Sequence, residues 1–424
     1  MPKITFGFKK REGKKRGFFG EKWKFDSKNT ILSSPSVVDM GNGEKMILFG
    51  TKNGRIYALD KNSNVKWIYD ASEEKSDVEL MFLDPESKDS IYSPPNIDDI
   101  NKDKIKEIIF GSESGKIYCL NHNGKLLWSY NTKGPVRGGA LIHDINKDGK
   151  PEIIIGSGDK NLYIFDNKGK VLGMHNAGSP IESSPCIFEE KIVFGCNNGL
   201  IKAINFKGRL IWTFETNDKI TARGIVGKLT GKKGESLLIG SHDGFLYALD
   251  NEGNLKWRFK TGGAIVNNVA LDDINNDDRL EIVFGSCDNN IYALSCYGEK
   301  IWSYETDFWV VTTPIIMDIN NDGKKEIIAG SYDHNIYVLD SEGSYVLDYV
   351  PGLGGVIQQG GNYSEVLTSE PGSVHVKKLW QFKTEGIIVG SASLDEKDFI
   401  INTEEGIVSK MGKKENNNNN KTKK

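Results

Sequence analysis

The sequence predicts an all-β fold, a β-propeller of eight or nine four-stranded blades, and three observations carry that prediction. The chain repeats itself at a shift of 45 residues. Each repeat sets turns rich in Gly, Asn and Asp between short runs of β-branched and aromatic residues, the pattern of tight hairpins. No stretch between the turns keeps a helical period. A four-stranded unit of about 45 residues that recurs along a chain builds blades packed around a central channel. Closing the ring hides most sheet edges.

The elements of the unit follow in order. A run such as SSPSVVDM, YSPPNIDDI, VNNVALDDI or TTPIIMDIN supplies the innermost strand. The hairpin of the second and third strands is written GTKNGRIYALD (50–60), GSESGKIYCLN (111–121), GSGDKNLYIFD (156–166), GCNNGLIKAIN (195–205), GSHDGFLYALD (240–250), GSCDNNIYALS (285–295) and GSYDHNIYVLD (330–340). A second turn, as in NHNGKLLW or DNEGNLKW, leads into an outer strand that usually opens with tryptophan. Ala58 to Trp67, Cys119 to Trp128, Ala203 to Trp212, Ala248 to Trp257 and Ala293 to Trp302 are each nine residues apart. A large flat ring beside a small residue can lie flat between neighbouring sheets, which predicts these tryptophans as core. Inner strands begin near Leu32, Tyr92, Arg137, Glu182, Thr221, Val266, Val311 and Ile357, with a weaker ninth near Val389. The 60-residue step from Leu32 to Tyr92 holds an exposed loop, residues 71–90. The strand around Trp23 is expected to pair with the last C-terminal blade and close the ring. The domain plan is then a basic extension (1–20), one propeller (21–411) and a disordered Asn/Lys-rich tail (412–424).

At 424 residues, 38% hydrophobic and 27% charged, the chain is ordinary for a globular protein. Length alone would suggest about two or three domains, but repeats grow by adding units instead. A net charge of −3 gives no reason to expect nucleic acid or membrane as the main partner. The basic runs KKREGKKR (9–16) and KKENNNNNKTKK (413–424) read as solvated tails. Five cysteines form no CxxC pair and are odd in number, so a complete disulfide framework is excluded and a reducing compartment is favoured. No segment reaches the ~18 apolar residues of a membrane span, and the N-terminus lacks a signal-like apolar run, so the expected location is the cytoplasm.

The pattern YALDNEGNLKW resembles the tryptophan-docking repeat of pyrroloquinoline-quinone-type propellers, over residues from about 23 to 411. The element DINKDGKPEI is similar to the calcium loops of integrin-alpha (FG-GAP) propeller repeats. The quinone dehydrogenases sharing the first repeat carry adjacent cysteines beside their cofactor and are secreted. This chain has neither feature, so the resemblance implies a scaffold with no quinone. Related eight-bladed outer-membrane assembly scaffolds imply a non-catalytic, protein-binding role.

Four units carry a calcium-like loop: Asp99, Asn101, Asp103 and Glu107; Asp144, Asn146, Asp148 and Glu152; Asp273, Asn275, Asp277 and Glu281; Asp318, Asn320, Asp322 and Glu326. Calcium takes six to eight oxygens at about 2.3 to 2.6 Å, and alternate oxygen side chains with a final carboxylate can surround it. Gly149 and Gly323 fit the sharp turn at position six, where Lys104 and Asp278 stand in the other two loops. Asp and Asn also make turns by bonding their own backbone, so a metal-free hairpin is the alternative. Loss of the pattern in other units suits a local structural staple rather than a shared reaction centre. The loop joins first and second strands, so it belongs on the face opposite the one where inner strands begin.

Residues at the start of the inner strands converge on the channel mouth. Tyr92, Arg137, Glu182, Arg223, Asn267, Trp309 and Gln358 are the partner-binding candidates, because bulky polar groups there vary while the frame repeats. Trp309, beside Phe308, lies outside the docking register, where the pair either anchors a peptide or sugar ring or packs against the next blade. Catalysis has little support: the six histidines are scattered, and no GxSxG or GxxxxGKS occurs. The function expected is a non-catalytic scaffold for protein partners. The rivals are a polysaccharide lyase or hydrolase with its site in the mouth, and an exported adhesion module.

Overall fold

The computed structural model describes residues 19–72, 89–230, 234–319, 322–343 and 381–413. They form eight four-stranded antiparallel sheets, and there is no helix among the described residues. Blade one runs from the inner strand Ser36–Asp39 through Lys45–Gly50 and Arg55–Asp60 to the outer strand Val65–Asp70. Six more follow in chain order, each pairing its strands in the order in which they occur.

Burial follows from the stacking of blades. The second strands, such as Glu107–Gly111, Glu152–Gly156 and Glu281–Gly285, are buried at every position because neighbouring blades cover both faces. Hence EIIFG, EIIIG and EIVFG read as continuous apolar runs although the sheets are antiparallel. Outer strands such as Leu126–Asn131 alternate between exposed and half-buried. The core is eight separate interfaces, each shared by two adjacent blades. One joins Leu48, Ile56 and Ala58 of blade one to Ile108, Phe110 and Leu120 of blade two. Another joins Phe49, Tyr57 and Leu59 of blade one to Ile400 and Val408 of blade eight.

The nine-residue spacing is a cross-strand pair: Ala58 faces Trp67, Cys119 faces Trp128 and Ala248 faces Trp257. The rings are half-buried rather than core, because they sit on the outer strand and reach sideways to the next blade. The indole N–H groups of Trp67, Trp128, Trp212 and Trp302 donate to the carbonyls of His122 (2.9 Å), Asn167 (3.3 Å), Asn251 (2.9 Å) and Ser341 (2.9 Å). Each ring lies on a turn glycine of that blade; a Cβ on Gly253, at φ +83°, would stand 2.6 Å from the Trp212 ring. Blade three lacks this dock, since Gly173 pairs with Ile164 in the tryptophan register.

The blade number is eight. Gln381–Lys383 pairs with Asn335–Leu339 as the outer strand of blade seven, and Ile388 bridges to Thr403 at the start of blade eight. The ninth unit arose from counting Ile357 as an inner strand, whereas residues 344–380 fall between the third and fourth strands of blade seven. Those residues, Gln358 among them, lie outside the described set, as does most of the 71–90 stretch. The predicted closure is present: Phe19–Asp26 pairs antiparallel with Ile407–Lys413, Trp23 facing Lys410. Lys22 meets Asp398 at 2.7 Å across this seam, and Lys410 meets Asp395 at 2.5 Å.

Candidate functional site

One hydrogen bond recurs in every blade where the chain enters it. The N–H groups of Lys52, Glu113, Gly158, Asn197, His242, Cys287, Tyr332 and Glu404 donate to the carbonyls of Thr30, Ser90, Pro135, Pro180, Lys219, Ala264, Trp309 and Ile387, at 2.7 to 3.0 Å. The backbone therefore repeats while the side chains differ, which defines eight equivalent positions around the channel mouth. Two residues beyond each carbonyl stand Leu32, Tyr92, Arg137, Glu182, Thr221, Val266, Val311 and Val389. The mouth is uneven: blades two to five present Tyr92, Glu113, Arg137, Gly158, Glu182, Asn197, Thr221 and His242, whereas blades six to eight are more apolar, with Val266, Cys287, Val311, Tyr332 and Val389 beside a single charged residue, Glu404.

On the polar arc, Arg137 donates to both oxygens of Glu113, through Nε at 2.9 Å and Nη2 at 2.5 Å, and to Glu182 Oε1 at 2.9 Å. Its guanidinium lies 5.7 Å from the centre of the Tyr92 ring. The hydrogen bonds it donates to Glu113 raise the Arg137 pKa further, so the group is a permanent cation already satisfied by two carboxylates. Glu182 also accepts from Asn197 Nδ2 at 3.0 Å. Glu113 was not singled out in the sequence; no repeat signal distinguishes it, because its turn position varies around the ring and Glu recurs there in blade eight as Glu404.

Thr221 Oγ1 lies 2.9 Å from His242 Nε2 and 3.1 Å from the Val266 carbonyl. The hydroxyl has one proton, and the carbonyl can only accept it, so His242 Nε2–H is the donor to Thr221. Burial, followed by the charge of Lys219, lowers the His242 pKa and favours this neutral form. An imidazole that gives its proton to a hydroxyl is not that hydroxyl's base.

On the other arc, Phe308 and Trp309 are 46% and 44% exposed. Their rings lie 5.2 Å apart, and Tyr332 completes a cluster 6.2 Å from Trp309. Asn267 is bound into the frame through its amide, which donates to the Val311 carbonyl. Arg223 is fixed through its backbone N–H to Asn268 Oδ1 at 2.8 Å, while its buried Nε has no acceptor.

The calcium-like loops join first and second strands in blades two, three, six and seven, on the face away from the mouth. Position six has positive φ in all four, at Lys104 (74°), Gly149 (88°), Asp278 (63°) and Gly323 (86°). Within the first loop, Asp99 accepts from the N–H groups of Asp103 (3.1 Å) and Lys104 (2.8 Å), and Glu107 from Ile100 N–H (3.1 Å) and Asn101 Nδ2 (2.8 Å). The Asp144 and Glu152 loop repeats these bonds, as does the Asp273 and Glu281 loop. In the last loop Asp318 accepts from Asp322 and Gly323, and Glu326 from Ile319, while Asn320 lies outside the described residues. Burial pushes Glu107 up to about 7 and raises Glu152 and Glu281, with the paired aspartates of each loop adding to the shift. Among the described residues no group of three or more His, Cys, Asp or Glu is arranged to hold a metal ion. The side chains close the loops on their own backbone.

Another device went unread in the sequence. In the turns GSGDKNLY, GSHDGFLY, GSCDNNIY and GSYDHNIY, the Asp accepts from the Tyr hydroxyl four residues on, as in Asp159 with Tyr163 (2.6 Å) and Asp243 with Tyr247 (2.7 Å). The same Asp takes an N–H of the segment entering that blade, Lys133 to Asp159 at 3.0 Å. The Asp-to-Tyr spacing was visible, and the hairpin reading absorbed it.

Among the described residues no helix is long and apolar enough to cross a membrane. A comparison with curated proteins finds no match. Among solved structures, the chain is similar to BamB from Moraxella catarrhalis, with a TM-score of 0.64 at 15% identity over 93% of this chain and 98% of that one. It is also similar to the computationally designed Ika8 protein, with a TM-score of 0.63 at 13% identity over 91% and 97%. At such identities the likeness concerns the fold alone. The sequence matches the lambda-carrageenase beta-propeller domain over residues 96–182, 191–271 and 237–350, more than half of the chain. The repeat resemblance thus holds at the level of a β-propeller, and by the extent of that match the chain belongs to the lambda-carrageenase beta-propeller domain family.

Proposed function

We propose that the protein is a non-catalytic binding scaffold that takes a protein partner on its channel-mouth face. The supporting observation is the cluster of exposed Phe308 and Trp309 with half-buried Tyr332 on a frame that otherwise repeats. The positions equivalent to Phe308 are Asn29, Asp89, Gly134, Ser179, Asp218, Gly263 and Gly386, and no described blade but the seventh has an aromatic residue there or at the Trp309 position. Rigid aromatic side chains bury much area at little entropic cost, which suits an anchor. The polar arc of Arg137, Glu113 and Glu182 orients the partner across the channel. The direction of the His242 to Thr221 hydrogen bond argues against nucleophilic chemistry at that pair.

This reading places the protein in a reducing compartment, in keeping with five free cysteines, four of them buried. The aspartate loops serve as turn staples, and a structural calcium ion would be an addition to loops already closed by hydrogen bonds.

The test is site-specific photo-crosslinking in the native host, with the reactive group at Phe308 and a control at Leu127 on an outer strand. A partner captured at Phe308, absent at Leu127 and lost with Trp309→Ala, is the expected result. Equal capture at both positions would remove the mouth from consideration.

A second reading is favoured by the family match, whose name refers to an enzyme acting on carrageenan. In it, a polysaccharide enters the mouth and stacks on Trp309. A panel of polysaccharides assayed for chain cleavage separates the two, since the scaffold produces no new chain ends.

A further inference from the structure

We propose that the channel throat, one step inside the mouth, binds an oxyanion group on Arg223. The inference rests on reading the mouth as a binding face and adds the chemistry of what enters: a carboxylate or a tetrahedral oxyanion.

The two arginines of this face are in opposite states. Arg137 is saturated by Glu113 and Glu182. Arg223 stands two residues beyond Thr221, just ahead of the inner strand Ile225–Gly227, and among the described residues its guanidinium forms no ion pair or side-chain hydrogen bond. Its Nε is buried with no acceptor. A guanidinium carries five donors and no acceptor, so only an acceptor from outside can satisfy a stranded one.

The position makes this more than a surface arginine. At the same register the other blades carry Ser34, Pro94, Gly139, Ser184, Asn268, Thr313 and Ser391, all uncharged. Several of these tie the ring together, each taking the N–H of the preceding blade: Gly139 donates to Ser184 Oγ (2.7 Å), Arg223 to Asn268 Oδ1 (2.8 Å), Thr313 to Ser391 Oγ (3.0 Å) and Ser391 to Ser34 Oγ (2.9 Å). Arg223 breaks that series by placing the one charge of the register where a short polar side chain would serve the frame. Thr313 Oγ1, at the same level, is also buried without a partner. Most buried polar groups find a partner within the frame. A planar, half-buried guanidinium takes a carboxylate or sulfate through paired N–H donors.

The experiment uses the full chain labelled with 15N and follows the arginine Nε–H signals, with that of Arg223 assigned by its loss in Arg223→Lys. Sodium acetate and sodium sulfate are titrated separately against sodium chloride at equal ionic strength. The expected result is a saturable shift of the Arg223 signal alone, in the millimolar range, with either or both anions. Acetate alone points to a carboxylate ligand and sulfate alone to a tetrahedral one. Unsaturated drift that matches chloride in both arms overturns the inference. Trp309→Ala is expected to leave the titration unchanged. If the titration fails while crosslinking at Phe308 persists, this inference falls alone; the reverse outcome removes only the partner reading.

Discussion

The tryptophan dock gives a quantitative test because the protein contains its own control. Gly253 and Gly208 occupy the same turn in successive blades, at φ +83° and +79°. A Cβ at Gly253 would stand 2.6 Å from the Trp212 ring, whereas at Gly208 it would meet nothing within 4 Å, because blade three has Gly173 in place of the tryptophan. Alanine at either site bears the strain of left-handed backbone, about 1–2 kcal/mol. At Gly253 it must also push the ring away, adding about 1–3 kcal/mol of overpacking. The indole bond to Asn251, 2.9 Å long, is weakened as well, by about 0.5–1.5 kcal/mol. Gly253→Ala should therefore cost about 2–4 kcal/mol more than Gly208→Ala, measured as the gap between urea midpoints followed by far-ultraviolet circular dichroism. Equal losses would refute the claim that these glycines exist to receive the rings.

Other expectations concern charge. Glu107 has a folded pKa near 7 against an ordinary 4.5, so the folded state binds the proton more tightly. Its contribution is full below about pH 4.5 and is lost as pH rises toward 7; Glu107→Gln should flatten that decline in melting temperature between pH 5 and 8. Calcium at this loop would draw Glu107 back toward its ordinary value, so carboxyl 13C titrations with and without millimolar calcium decide whether the loop binds the ion. Unchanged curves leave it a turn. Arg137→Met strands Glu113 and Glu182 on the mouth and should cost about 1 kcal/mol, since the cluster is partly exposed. Adding Glu113→Gln should recover part of the loss in the same melting experiment.

The architecture was legible because a propeller writes the same sentence in each blade: hairpin, turn glycine and tryptophan recur at a spacing that strand pairing turns into contacts. The blade count stays open between eight and nine at Ile357 because an apolar run after a turn reads alike whether it begins a blade or falls within one. The tryptophans were read as too deep because spacing reveals the cross-strand partner and not the edge position of the strand. At the mouth, Tyr92, Arg137, Glu182 and Trp309 stand out as candidates because they depart from the repeat. The pairing of Arg137 with Glu113, 24 residues apart, and the isolation of Arg223 depend on side-chain paths that no period records.

The seam of blade eight sets a clock on biosynthesis. Glu21 meets Ser409 across 388 residues of chain. At about 5–20 residues per second the ribosome needs roughly 20 to 80 s to supply the partner of the first strand. Throughout that time FGEKWKFD is an unpaired edge carrying Trp23 and Phe25. Its Lys22 and Lys24 discourage pairing with another nascent chain, and Lys22 then binds Asp398 once the right strand emerges. A charge that guards the edge while it waits thus becomes part of the clasp that ends the wait.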